Sequence, residues 1–305
     1  MTITHVRSVS IAVTDLVQAR EFYSRCWALE EVDRDSERIY LGAGCPENYV
    51  LRLRQAEQPR VDAVSLAVDT AADVDLYAKR VSSHPLTKMI DEPHPRQDRG
   101  GGYGFRFFDC DGRVVEVSAD LELRVFREVE AREHRPKKIS HVVFNTQDLN
   151  RTRMYYEEAL GFKVSDWIED FFCFMRTGGT HHLLAFARSE RTSLNHVSFE
   201  VRGLDEFMRA TGSMMRQGHQ PLWGPGRHGA GDNTFSYFQD PGTGYVMEYT
   251  TALAEIDEDH GWTPRVYTTS PEDTDQWGTS NAFDEVIMEQ MHGHQDPGLW
   301  TPAPL

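Results

Sequence analysis

The chain repeats itself once, and that repeat constrains its fold more than any other feature. RSVSIAVTDLVQAREFY (7–23) pairs with SHVVFNTQDLNRTRMYY (140–156) at an offset of about 133 residues. DAVSLAV (62–68) pairs with NHVSFEV (195–201) at the same offset, and FDCDGRVVEVSA (108–119) pairs with FQDPGTGYVMEYTT (238–251) after a one-residue slip. Spacing held over three segments reads as one supersecondary scheme written twice. Each half has the length of an ordinary domain, enough to bury a core of its own.

Within the second half, apolar runs with strand character predict strands near 139–145, 162–169, 171–176, 181–187, 194–201, 234–239 and 244–250. Helices are predicted over about 148–160, with Asp148 in the first turn and Gly161 as the stop, and near 204–217, closed by Gly218. The first half follows the same order. The expected division is a domain over 1–126, a charged linker over 127–138, a second domain over 139–252 and an acidic tail over 253–305.

Three polar residues interrupt apolar strand runs in the second half: His141 in KISHVVFN, His196 in SLNHVSFEV and Glu248 in YVMEYT. A lone histidine in a strand is ordinarily a satisfied core or surface residue. The repeat argues otherwise, because His141 falls opposite Ser8 and His196 opposite Ala63, while Glu248 keeps a counterpart in Glu116. The first half is built without those histidines, so the backbone scheme does not require them. Two imidazoles and a carboxylate on neighbouring strands make a facial ligand set that leaves coordination positions open on an ion such as Fe(II).

The formal charge of -16 disfavours nucleic acid and anionic membrane as partners and leaves small molecules. No stretch of about twenty apolar residues occurs, and the N-terminus lacks a basic-then-apolar signal segment, so a cytoplasmic location is expected. Cys26, Cys45, Cys110 and Cys173 have no C-x-x-C spacing, which fits free thiols in a reducing compartment.

The duplicated β-α-β-β-β module with His, His and Glu on the sheet interior resembles the vicinal oxygen chelate superfamily, and within it the two-domain type I extradiol dioxygenases. The resemblance extends to about residue 252. It implies an α+β fold of tandem βαβββ modules, two domains each forming an incomplete β-barrel, with a metal-free N-terminal domain and the metal in the C-terminal barrel. HHLLAF (181–186) is similar to the family segment whose second histidine is the acid-base residue, which selects His182 over His181. GPGRHG (224–229) places His228 at a substrate-contacting histidine, and FSYFQDPG places Tyr237 at the tyrosine that hydrogen-bonds a substrate hydroxyl. Two departures stand out: Ser236 precedes that tyrosine where the family has an aliphatic or aromatic residue, and the turn between DP and Glu248 is one residue longer than usual.

The implied activity is meta-cleavage of a catechol-type ring by O2, with Fe(II), or less often Mn(II), held by His141, His196 and Glu248. His182 would move the proton of the second hydroxyl, work suited to a side chain that titrates near neutrality. His181 should face the opposite way if the strand is regular. Val143, two residues after His141, and Phe174 in FFCFM supply apolar wall, which favours a hydrophobic catechol. Arg227 and Arg265 leave open a carboxylated one. His292 and His294 form an H-x-H pair read as solvated. The partners expected are a small aromatic diol and O2, with neither nucleic acid nor membrane, in a homo-oligomer whose tail covers the barrel mouth or a subunit interface. Rival readings are a hydroquinone-cleaving dioxygenase, a glyoxalase-type lyase or isomerase, and a non-catalytic ligand-sequestering module.

Overall fold

The computed structural model describes residues 2–257 and 260–304. The first half contributes nine strands: β1 (His5–Val13), β2 (Glu30–Arg34), β3 (Arg38–Gly42), β4 (Leu51–Gln55), β5 (Arg60–Ala67), β6 (Lys88–Met89), β7 (His94–Pro95), β8 (Tyr103–Phe108) and β9 (Val114–Ala119). Helix α1 (Leu16–Arg20) runs on as a π-helical turn over Glu21–Cys26, and α2 (Ala71–Ser82) follows β5. The second half contributes β10 (Lys138–Thr146), β11 (Lys163–Ile168), β12 (Phe172–Arg176), β13 (Leu184–Arg188), β14 (Ser193–Glu200), β15 (Trp223–Arg227), β16 (Thr234–Gln239) and β17 (Val246–Thr251), with α3 (Leu149–Leu160) and α4 (Leu204–Arg216) between them. Beyond these lie β18 (Arg265–Tyr267), α5 (Pro271–Thr274) and α6 (Glu285–His292).

Both halves form mixed sheets with the same wiring. One sheet runs β2-β3-β4-β1-β5-β9-β8-β6, with β7 also on β8; the other runs β15-β16-β17-β14-β10-β13-β12-β11-β18. Among the described residues the end strands do not pair with each other, so each sheet is an open cup rather than a closed barrel. The repeat extends to register. Ser8 pairs with Ser65 after a bulge that follows Val6, and His141 pairs with Ser198 after a bulge that follows Ile139. Such a bulge re-aims the side chain beside it, and here it precedes Ser8 in one half and His141 in the other.

Local chemistry explains the elements that the sequence marked. Asp148 accepts the backbone N–H of Arg151 as the N-cap of α3, and Gly161 closes that helix at φ 75°, a left-handed conformation that glycine adopts without steric cost. The two halves share one apolar core. Trp27, from the turn after α1, stacks on Tyr249 of β17 at 3.8 Å, and the Tyr249 hydroxyl donates to the Trp27 carbonyl at 2.9 Å. Both rings are fully buried, so truncating Trp27 would cost about 3–5 kcal/mol. Cys173, also buried in this core, packs rather than reacts.

One expectation needs correction, and two segments carry elements that the sequence did not mark. The strand expected from 181 begins only at Leu184, because 181–183 is an irregular bend rather than period-two backbone. Residues 223–227, outside the expected strands, form β15, paired antiparallel with β16. The tail is partly regular: β18 adds in parallel to the edge strand β11, and α6 packs on β14. None of the helices among the described residues is long and apolar enough to cross a membrane.

Candidate metal centre

Adjacent strands bring His141 (β10), His196 (β14) and Glu248 (β17) together at the floor of the second cup. Ser198 on β14 is in register with both His141 and Glu248, and His196 lies one pleat away on the same face. His141 Nε2 is 3.0 Å and His196 Nε2 3.6 Å from Glu248 Oε2, and the two Nε2 atoms are 3.4 Å apart. Three ligands on adjacent octahedral vertices ~2.1 Å from an ion lie ~3 Å from one another, close to this spacing.

The electrostatics fit a cation as well as the distances do. Glu248 is completely buried and, among the described residues, neither carboxylate oxygen has a hydrogen-bond partner of good geometry, although the Ser198 and Tyr237 hydroxyls lie close enough to favour its charge and His141 Nε2 is 3.0 Å away. Burial pushes its carboxyl up from the ordinary range, against the pull of His196 and His228. Burial also drives His141 and His196 down to about 3, so both rings are neutral and able to offer lone pairs. A buried carboxylate facing two neutral imidazoles is unfavourable unless something positive sits among them.

Hydrogen bonds behind the ligands set which nitrogen faces inward. His196 Nδ1 donates to Asn195 Oδ1 at 2.7 Å, Asn195 Nδ2 donates to Asn145 Oδ1 at 2.9 Å, and Asn145 Nδ2 donates to the Met291 carbonyl of α6 at 2.9 Å. His141 Nδ1 lies 3.1 Å from Ser140 Oγ. With Nδ1 engaged on both rings, Nε2 is left for the ligand face, as metal-binding histidines require.

The first cup shows the contrast. Glu116, in register with Ser65 as Glu248 is with Ser198, pairs with the Arg96 guanidinium at 2.9 Å and accepts the Ser65 hydroxyl at 2.9 Å. A protein cation neutralises that carboxylate, whereas among the described residues Glu248 faces only imidazoles.

The remaining expected residues also gather here. His182 is buried, and its ring centroid is 4.2 Å from that of His141. Burial among His141, His181, His196 and His228 pushes its imidazole well below the usual range. Tyr237 lies 5.1 Å from His196 between ring centroids, and its phenol donates to His228 Nε2 at 2.9 Å, while His228 Nδ1 faces the Thr274 carbonyl at 3.2 Å. Burial drives His228 down to about 4 and, together with the Glu248 charge, holds Tyr237 well above its ordinary value. Val143 and Phe174 share an apolar cluster with Ala185 and Ala230, flanked by Ile168, Phe172 and Tyr267. Phe174 lies 4.9 Å from the His182 ring.

Arg227 is held by Asp232 through two contacts of 2.9 and 2.8 Å, and Arg265 lies 5.8 Å over the Trp262 ring. His294 is exposed and His292 half-buried.

His181 departs from expectation. It is buried instead of facing away, with Nδ1 2.9 Å from His182 Nδ1 and Nε2 2.8 Å from Asp166 Oδ2. The bend over 181–183 breaks the alternation that would have separated the two rings. Asp166 was missed, although an acidic residue inside the apolar strand KVSDWI is the same kind of signal that singled out His141. The tail contacts were missed too: Asp275 Oδ1 accepts the Arg227 backbone N–H at 2.9 Å, and Gln276 donates to the His228 carbonyl, so the loop bearing His228 is fastened from outside.

Comparison with known proteins agrees with this geometry. The family model of the Glyoxalase/Bleomycin resistance protein/Dioxygenase superfamily matches residues 138–249. The solved Mn(II)-bound glyoxalase from Novosphingobium aromaticivorans superposes with a TM-score of 0.92 at 38% identity, covering 99% of this chain and 98% of that one. Metapyrocatechase 2 from Cupriavidus necator is 29% identical over 274 residues, 83% of this chain and 76% of its own. Homoprotocatechuate 2,3-dioxygenase from Arthrobacter globiformis superposes with a TM-score of 0.79 at 25% identity, over 94% of this chain and 90% of that one.

Proposed function

Since the chain belongs to the glyoxalase/bleomycin resistance protein/dioxygenase superfamily, we propose that it is an extradiol dioxygenase that opens the ring of a catechol-type diol with O2. His141, His196 and Glu248 would hold Fe(II), or Mn(II), as the ion. The observation that carries this reading is Glu248: a fully buried carboxylate that, among the described residues, has no hydrogen-bond partner of good geometry and is faced by two imidazole Nε2 atoms. When bound, the divalent ion would supply Lewis acidity toward a diol and O2.

The chain's own groups supply the rest. His182, neutral and next to His141, is placed to take the proton of the diol's second hydroxyl and later return it, a contribution usually worth about 10²–10⁴ in rate. Tyr237 and His228 act as one hydrogen-bonded unit that orients a substrate oxygen. Val143, Phe174 and their apolar neighbours exclude water and pack the ring. Because Arg227 is already held by Asp232 and Arg265 stacks on Trp262, the wall favours an uncharged ring substituent over a carboxylate. A hydroquinone substrate would use the same groups.

A second reading is favoured by the Novosphingobium structure, whose name is glyoxalase: a metal-assisted isomerisation of a thiohemiacetal without O2. Glyoxalase chemistry has no evident use for the His182, Tyr237 and His228 cluster, which a chelated diol employs in full. Anaerobic loading with Fe(II) or Mn(II), addition of a panel of catechols and hydroquinones, and then O2 decides between them. Oxygen uptake with a yellow ring-fission product supports the dioxygenase. Turnover of a glutathione thiohemiacetal without O2 supports the lyase. Tight binding of a diol without turnover supports a sequestering module.

A further inference from the structure

Behind His182 stands a buried pair of groups that the proposed chemistry has not used. Asp166, His181 and His182 are each almost wholly buried. They form a continuous line: Asp166 Oδ2 to His181 Nε2 at 2.8 Å, then His181 Nδ1 to His182 Nδ1 at 2.9 Å. The other oxygen of Asp166 accepts the Arg265 backbone N–H of β18 at 2.7 Å. The tail therefore fastens the far end of the line, and Trp262 fastens the strand beside it by donating from Nε1 to the Ser165 carbonyl at 2.6 Å. The Ser165 hydroxyl donates to the His181 carbonyl, and the His181 backbone N–H donates to the Ala254 carbonyl at 2.9 Å.

A neutral imidazole has one donor nitrogen and one acceptor. A carboxylate only accepts, so His181 Nε2 must be the donor toward Asp166. With His181 neutral, its Nδ1 is the acceptor, and the contact between the two rings needs a proton on His182 Nδ1. That leaves His182 Nε2 with its lone pair free, and among the described residues no group hydrogen-bonds it.

We infer that Asp166 and His181 are positioning residues that fix the tautomer of His182, so that Nε2 is always the proton-accepting atom, and that the tail strand β18 holds this setting. The inference rests on the proposed role of His182 as the proton-handling group. It also gives the tail a function within one protomer. An acid that holds an imidazole in one tautomer is worth several orders of magnitude in turnover where it has been removed without disturbing geometry.

The test replaces Asp166→Asn, which keeps size but lets an amide N–H point at His181. His181 would then accept at Nε2 and donate from Nδ1, forcing the proton of His182 onto Nε2. Long-range ¹⁵N–¹H spectra of metal-free and Zn(II)-loaded protein read the tautomer directly, with no need for turnover. The expected result is His182 protonated at Nδ1 in the wild type and at Nε2 in Asp166→Asn. Metal content and anaerobic diol affinity should be unchanged, and kcat should fall about 10²–10⁴-fold with little change in KM. Asp166→Glu, which keeps the acceptor, should recover most of the loss. His181→Gln provides a second variant should Asp166→Asn fold poorly, with the wild-type tautomer preference lost. An unchanged His182 tautomer in both variants, or a switched tautomer with wild-type kcat, overturns the inference. Absence of O2 uptake by the wild type would sink the dioxygenase reading instead, and the spectra would still decide the relay.

Discussion

Replacing Glu248 with Gln should stabilise the metal-free protein and abolish its response to metal. The carboxylate is fully buried, both oxygens lack partners of good geometry among the described residues, and burial raises its pKa. Leaving such a group unsatisfied costs ~1–3 kcal/mol, and more when it is charged. A glutamine of the same shape carries no charge, and its amide can donate to His141 Nε2, now 3.0 Å from Oε2. Metal-free Glu248→Gln should therefore melt at or above metal-free wild type. With metal at 100 times its Kd the wild type should gain ~2.7 kcal/mol. At ~2–4 °C per kcal/mol for a chain of this size class, that is a rise of about 5–10 °C. The variant should show none of it. The signature is a reversal of melting order on adding Fe(II) anaerobically, or Mn(II), in a scanning calorimeter. Glu248→Gln melting below wild type without metal, or keeping the metal-induced rise, would refute the claim that this carboxylate waits for a cation.

Glu116→Gln should leave bound metal and turnover unchanged while costing ~1–3 kcal/mol of stability, since it strips one partner from the buried Arg96 but leaves Asp91 and Asp98 in place; metal analysis and denaturant titration check both halves. The metal-free protein should lose stability as pH falls from 6.5 to 5.5. His141, His196 and His228 have folded values of about 3, 3 and 4, so the unfolded chain binds the extra protons. The loss is ~1 kcal/mol for each ring. The raised Glu248 works in the opposite direction, losing stability as pH rises above the ordinary carboxylate value, but it is one group against four, since His182 is lowered as well. Denaturant midpoints across that window should fall, and a flat profile would contradict the buried neutral rings. His182→Phe should keep metal and bind diol yet lose about 10²–10⁴-fold in turnover, measured by O2 uptake under saturating diol.

The repeat made the fold readable, because a period carries register as well as element order: the bulge before Ser8 recurs before His141, and the partner strands follow. His141, His196 and Glu248 were picked out for the same reason, since the first half carries Ser8 and Ala63 where the second carries the two histidines, and the fold brings the three side chains together. His181 was not readable in that way. Its face was inferred from strand alternation, and three residues of irregular backbone remove that alternation. The tail was legible only as acidic and aromatic, because β18 and α6 owe their structure to edges and surfaces of the second sheet rather than to any periodicity of their own. Asn145 and Asn195 escaped notice because a buried asparagine acquires meaning only once its neighbours are known.

A cation at His141, His196 and Glu248 that breaks an aromatic ring with O2 must leave both oxygen atoms in the product. Single-turnover reaction of the Fe(II)- or Mn(II)-loaded protein with a catechol under ¹⁸O2, analysed by mass spectrometry, tests it most directly. Ring cleavage should consume one O2 per diol and leave both labelled atoms in an open-chain product. Unlabelled product, or no reaction with any dihydroxylated aromatic while a thiohemiacetal is isomerised, would contradict it.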